Sequence, residues 1–430
     1  MLAAAPTRAS GQQSGTPLTL AEARAAARRA SPELRAAREA ATAAEARARQ
    51  AGAFPNPTLA YSHERTSRAG ATNAQHLATF EQPLDVLGQR TARRYAAALR
   101  AAAASARIDA AQARLDFDVT RAFAHAVAAE RRATLARQAA DAFTEAQRVS
   151  RIRLAAGDVS GYANRRLQLE AARYAVLAAQ TALARDSARL ALAVLVADSA
   201  AVLSGAMLGT AALPLDTRTL DSIGVAPSVD TAKLAEPALA AGGDSLHALA
   251  LASRAELRAA RLERDAAAAE VRLAGRERIP VPVVTAGIKS ERTPDADGFR
   301  GLVAGVSLPV PLWDRRGGAI AAADADTRRV EAELDALRRQ IAREVAEALA
   351  ARRAVDAQLA ALGPRIDADT DAAIGAARVA YAEGEITLVE WLDAVRAYQE
   401  VEFLFAALQA ESLIRRAALE RAVGFPLFED

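Results

Sequence analysis

From Thr91 to Leu154 the chain contains neither proline nor glycine. The run is mostly Ala, Arg, Leu, Gln and Glu, the residues that lose least conformational freedom on entering a helix. A helix of about 65 residues rises about 100 Å at 1.5 Å per residue, against a mean of about 11 residues in globular proteins. Its larger apolar residues, among them Leu99, Leu115, Val119, Phe123, Val127 and Phe143, are sparse, and alanine fills most places between them. Such a rod lets neighbours approach closely and needs them along its whole length, because propensity alone gives an isolated helix little stability. The rest of the chain has to supply those partners.

Composition agrees with long helices and removes several classes of function. Aromatic residues make up 4% of the 430 positions. The net charge is +3 with acids and bases interspersed, so no basic block points to nucleic acid. Cysteine is absent, which excludes disulfides, thiolate metal sites and thiol nucleophiles. Four histidines and two methionines leave little from which to build a metal centre, and no metal or other cofactor is expected. No phosphate loop or nucleophile elbow is present, so the chain does not read as an enzyme. No apolar run is long enough to cross a membrane as a helix.

The chain is written twice. Ser31-Pro-Glu-Leu-Arg-Ala-Ala-Arg38 returns as Arg254-Ala-Glu-Leu-Arg-Ala-Ala-Arg261. Pro83-Leu84-Asp85 returns within Pro311-Leu312-Trp313-Asp314, and Leu154-Ala-Ala-Gly157 returns as Tyr381-Ala-Glu-Gly384. Position 254 stands against 31, 311 against 83 and 384 against 157, offsets of 223, 228 and 227 residues. A period this long means a duplicated domain, not a solenoid unit. The first copy spans 18–200 and the second 244–424, with a disordered arm at 1–17, an irregular connector at 201–243 and a tail at 425–430.

Within each copy a helix comes first, at about 19–52 and 244–276. Thr19, with Glu22 three residues on, forms a capping box for the first. Two strands follow, at about 57–65 and 74–86, then at about 281–291 and 299–311. The alternation of Leu302, Ala304 and Val306 with Val303, Gly305 and Ser307 has the period of a strand. A long helix comes next (88–155; 317–382), turning at Gly157 or Gly384 into a return helix (159–197; 385–423). Gly363-Pro364 predicts a kink in the second long helix. Two hairpins give four strands, too few to close a barrel, and leave two edges open. Strands of about 10 residues suit a tilted bilayer crossing, where every edge must find a partner, so copies of the chain must complete one another.

This layout resembles the outer membrane efflux protein family, the TolC-like channels, over residues 18–428. The likeness is carried by Glu33-Leu34, Pro55-Asn56-Pro57, Gln82-Pro83-Leu84 with Gly88-Gln89-Arg90, and Leu308-Pro-Val-Pro-Leu-Trp-Asp-Arg315. Tyr381-Ala-Glu-Gly384 followed by Thr387, Leu388, Leu392 and Asp393 completes it. The Pro-Asn-Pro entry, the Pro-Val-Pro-Leu-Trp-Asp-Arg turn and the stretch from Gly384 to Asp393 look most like the CzcC-type heavy-metal branch. The resemblance implies a mainly α fold with a small β part. It implies a homotrimer whose twelve strands form one barrel in outer-membrane lipid and whose helices form a periplasmic tunnel. Function would be passive: a conduit docked through a periplasmic adaptor protein onto an inner-membrane pump of the resistance–nodulation–division class. The competing readings are a soluble periplasmic helical adaptor or scaffold, and an outer component for drug or protein export.

The resemblance also implies roles for particular residues. Gly157, Gly384 and Tyr381 lie at the helical turns that would meet the adaptor. Glu390 and Asp393, three apart on one helix face, would form acidic rings at the pore's closed end, favouring cations. Arg153 matches an arginine that ties this end shut through a carboxylate. The position expected to carry that acid is Ala163, beside Asn164, so Arg153 either pairs with Asp158 or points to water. Trp391 reads as packing between helices and Trp313 as marking the strand-to-helix corner near the membrane interface. His63 and His76 fall on opposite strands of the first hairpin.

Overall fold

A computed structural model describes residues 18–68, 71–197, 243–293, 296–362 and 370–427. The expected arm, most of the connector, the Gly363-Pro364 kink and residues 428–430 of the tail lie outside them. The order is α1 (Leu20–Ala30), α2 (Pro32–Ala51), β1 (Thr58–Arg68), β2 (Ala71–Pro83), α3 (Gln89–Ala156), α4 (Gly161–Val196), α5 (Gly243–Ser253), α6 (Ala255–Arg276), β3 (Val283–Thr293), β4 (Ala296–Ser307), α7 (Gly317–Leu362), α8 (Thr370–Glu383) and α9 (Leu388–Val423). The long helix foreseen from the missing Pro and Gly is 68 residues.

The first helix of each copy differs from expectation: it is two helices, not one. Pro32 lacks the N–H that would continue α1, and Ser31 takes an extended ψ of 120°. The Ser31 hydroxyl then accepts from the Leu34 N–H at 3.1 Å, capping α2. In the second copy the break falls at Arg254, which is buried and paired with Glu344. There is no proline here. Instead Gly424, at φ +74, is packed so closely that a Cβ would come within 2.9 Å of the Arg254 Cα. The strands also shift. β2 and β4 stop at Pro83 and Ser307 and do not run on to 86 and 311, because Pro83, Pro309 and Pro311 cannot donate to a ladder.

The chain divides into two compact units. One holds residues up to Leu34, Ala111–Arg254 and Ile341–Asp430. Its core has two centres. Ala23, Ala27, Val119, Phe123, Val127, Leu192 and Ile414 form one; Phe143, Leu167, Tyr174, Tyr381, Trp391 and Leu392 form the other. Charged pairs knit the same helices, Arg189 to Glu130 at 2.6 Å and Arg131 to Glu402 at 3.3 Å.

The other unit holds Arg35–Ala110 and Ala255–Gln340. Its four strands form one antiparallel sheet in the order β1-β2-β3-β4. The two hairpins are joined side by side through β2 and β3, with Phe80 opposite Ala286 and Ala78 opposite Ile288. The corner from β2 into α3 explains one sequence motif. Asp85 accepts from the Gln89 and Arg90 N–H groups at 2.8 and 2.6 Å, capping the helix. Gly88 supplies the positive φ, and Gln82 ties the corner to the Pro55 carbonyl at 3.0 Å.

Candidate functional site

Two regions carry functional chemistry, one in each unit. The first is built around the paired turns. At the end of α3 the Gly157 N–H donates to Leu154 O at 3.1 Å and the Asp158 N–H to Arg153 O at 2.9 Å. At the end of α8 the Gly384 N–H donates to Tyr381 O at 3.2 Å and the Glu385 N–H to Ala380 O at 2.9 Å. Each is a Schellman termination closed by a glycine at φ +85 or +84, a conformation that costs a residue with a Cβ. Open space surrounds both positions, so glycine is required by the backbone and not by crowding.

Arg153 crosses from one turn to the other. Its Nη1 lies 3.4 Å from the main-chain oxygen of Tyr381. Position 163 holds no acid; the Ala163 N–H instead donates to Ser160 Oγ, the N-cap of α4, at 3.2 Å. Asn164 receives the Ser150 hydroxyl at 3.2 Å. Arg153 thus meets a helix-end carbonyl, which carries part of the negative end of the helix dipole.

Below the turns lies an aromatic cluster. Trp391 is fully buried, with Phe143 at 4.8 Å and Tyr381 at 5.4 Å between ring centres. Phe143 stacks on Tyr174 at 4.1 Å. Burial pushes the Tyr381 hydroxyl pKa up, with Arg153 opposing. Trp391 thus packs between helices, as its place in the sequence implied.

Glu390 and Asp393 are both exposed on α9. Glu390 has a second task that its acidity did not advertise. Its carboxylate accepts from the Thr387 N–H at 2.7 Å while the Thr387 hydroxyl caps the Glu390 N–H, a full capping box. These bonds, the backbone one foremost, hold the Glu390 carboxyl below the usual glutamate range. The signal was Thr387 standing three residues before Glu390.

The second region is the sheet. Its ladder sorts every strand residue onto one of two faces. On one face lie Leu59, Tyr61, Phe80, Ile288, Leu302 and Val306, all large, apolar and exposed. The opposite face carries Ser62, Glu64, Glu81, Gln75, Lys289 and Glu291, with Leu77, Val303 and the exposed Phe299 among them. Leu302 is 90% exposed and Trp313, just beyond β4, is 93% exposed. An apolar face bared in this way does not suit water; apolar-out and polar-in is the pattern of a strand set that meets lipid on one side and an aqueous lumen on the other. His63 sits directly opposite His76, their rings stacked at 4.4 Å. Among the described residues no three His, Cys, Asp or Glu gather in a metal-holding group, and no helix is long and apolar enough to cross a membrane.

The family model of outer membrane efflux proteins matches residues 246–425. The chain is 25% identical over 414 residues to the cobalt-zinc-cadmium resistance protein CzcC of Cupriavidus metallidurans, covering 96% of this chain and 91% of that one. The likeness is thus to the outer membrane efflux proteins, over the second copy by the family model and over nearly the whole chain by CzcC. Solved channels share its fold. CmeC of Campylobacter jejuni superposes with a TM-score of 0.72 at 14% identity, covering 98% of this chain and 91% of that one. VceC of Vibrio cholerae gives 0.69 at 18% identity, covering 94% and 96%. With these likenesses the chain reads as a transport protein of the outer membrane with helices reaching into the periplasm, and not as an enzyme. The soluble-adaptor reading falls with that placement.

Proposed function

We propose that three copies of the chain close into a twelve-stranded barrel continued by a helical tunnel. The assembly is a passive conduit for cargo delivered by an inner-membrane pump through a periplasmic adaptor. One observation carries this reading: an apolar-faced sheet whose edge strands, β1 and β4, have no neighbouring strand among the described residues. In lipid each unpaired backbone group costs several kcal/mol, so another copy has to pair with them. The α4 helix supports the same conclusion. Tyr162, Leu169, Val176, Leu183 and Leu190 recur every seventh residue and are all exposed. A sustained heptad calls for a partner helix.

The cargo is a heavy-metal cation, a reading supported by the similarity to CzcC. Glu390 and Asp393, repeated threefold, form acidic rings that favour cations, and Arg153 helps hold the narrow end. Gly157, Gly384 and Tyr381 mark the turns that the adaptor contacts. Native mass spectrometry of detergent-extracted protein tests the assembly: a trimer is expected, and a stable monomer overturns it. Cells lacking the channel should lose tolerance to cobalt, zinc or cadmium; unchanged tolerance to all three removes the cargo assignment.

A further inference from the structure

The apolar face of the sheet is not apolar throughout. Toward the two hairpin turns it changes to a row made of His63, His76, Ser290 and Arg300, which the ladder places side by side across all four strands. One step further lie Arg65, Ala74 and Arg292. Arg65, Arg292 and Arg300 are exposed, and no ion pair joins them to a described carboxylate. Along the ladder up to the Glu291–Phe299 pair, where the register shifts, no acid stands on this face. Glu64, Glu81 and Glu291 all belong to the other one, where Glu291 pairs with Lys289 at 3.2 Å and accepts from Asn73. Arg65, Arg292 and Arg300 thus share the side of the sheet that carries the apolar band, while Lys289 lies on the other.

At the border between the apolar and basic rows there is a depression of about 540 Å³. Tyr61, Ile288 and Leu302 line its apolar side, and His76, Ser290 and Arg300 its polar side. The Tyr61 hydroxyl lies 2.8 Å from His76 Nδ1. With that hydroxyl donating, Nε2 carries the imidazole proton and is free to donate outward.

The helices leave the sheet at the opposite end, after Pro83 and Ser307. With those helices in the periplasm, the basic row stands at the level of the outer leaflet headgroups. We propose that this row binds a phosphate-bearing lipid headgroup of the outer leaflet. Arg300, Arg65 and Arg292 supply the charge, His76 and Ser290 supply hydrogen bonds, and the acyl chains lie along Tyr61, Ile288 and Leu302. Guanidinium groups bind phosphate through paired N–H donors, and a basic group near an anionic lipid surface strengthens binding about fivefold. This goes beyond the conduit reading and rests on it only in that this face meets lipid.

The test uses the full chain extracted in detergent and returned to nanodiscs of phosphatidylcholine doped with lipid A. Native mass spectrometry then counts retained lipid A, with the dephosphorylated glycolipid as the control. The wild type should keep lipid A in preference to the control. The triple variant Arg65→Gln, Arg292→Gln, Arg300→Gln should lose it about a hundredfold, from three contributions of about fivefold each; the matching triple Lys variant should keep most of it. Equal retention of both glycolipids, or no loss in the Gln variant, overturns the proposal. Displacement by millimolar inorganic phosphate overturns the lipid assignment in favour of a free-phosphate site. Channel conductance of each variant separates the two readings: a conducting Gln variant that binds lipid A normally sinks this proposal alone, whereas a wild type that never conducts sinks the conduit.

Discussion

The guanidinium of Arg153, at the end of the first long helix, points at the main-chain oxygen of Tyr381 from 3.4 Å. The same oxygen accepts the Gly384 N–H. One arginine thus links the terminations of two helices that are copies of each other, through a main-chain oxygen. A long, partly exposed contact of this kind contributes at most about 1 kcal/mol. Arg153→Gln should therefore leave thermal unfolding nearly unchanged while raising conductance in planar bilayers, because the narrow end is less firmly held. Unchanged conductance would remove Arg153 from the gate.

Gly384 has only its backbone to defend. Replacing it by valine should cost about 1–2 kcal/mol, the penalty for a Cβ in the left-handed region, and asparagine should cost less. Urea unfolding of the three proteins gives the order directly. The Val variant should also lose cross-linking to the adaptor while trimers persist; intact cross-linking would count against contact at this turn.

Acidity should bear on the Glu390 box. Its folded pKa lies below the ordinary value of about 4.3, so the carboxylate's stabilising effect is fully present above that value. It is lost as pH falls through the lower, folded pKa. Cation preference, read from reversal potentials, should hold at neutral pH and decline only in that acid range. The double variant Glu390→Ala, Asp393→Ala should show weak preference at every pH, and unaltered selectivity would refute the ring.

The bare heptad on α4 offers a cleaner separation of folding from assembly. Leu183 is 69% exposed, so Leu183→Glu should leave the helical content of the chain intact by circular dichroism. It should, however, cut the trimer fraction in native mass spectra. A full trimer yield would mean that this seam is not an interface.

The two tryptophans report on opposite surroundings. Trp391→Ala should destabilise by about 3–5 kcal/mol, the usual cost of emptying a large buried site. Trp313 should instead be quenched by brominated lipid after reconstitution, since it is 93% exposed beside the apolar face. Absence of quenching would place that corner away from the bilayer.

Much of this was legible in residue order. The absence of Pro and Gly between Thr91 and Leu154 announced α3, and Gly157 and Gly384 announced its end and that of its copy. Thr387 and Glu390 spelled out a capping box that acidity alone concealed. Harder to read were the breaks at Ser31 and Arg254. Pro32 pointed to the first in hindsight, but the second depends on the packing of Gly424 against Arg254, 170 residues away in the chain.

The sequence by itself determined the helices, their caps and turns, the duplication and the alternation along each strand. These rest on interactions between residues a few positions apart, whose geometry follows from the period of the element. Only the tertiary structure decided which carbonyl Arg153 meets, which apolar residues stay bare on α4, and how the strands align into an apolar band bordered by a basic row. Those outcomes depend on register and packing between segments hundreds of residues apart, and a one-residue slip would have moved every strand side chain to the opposite face.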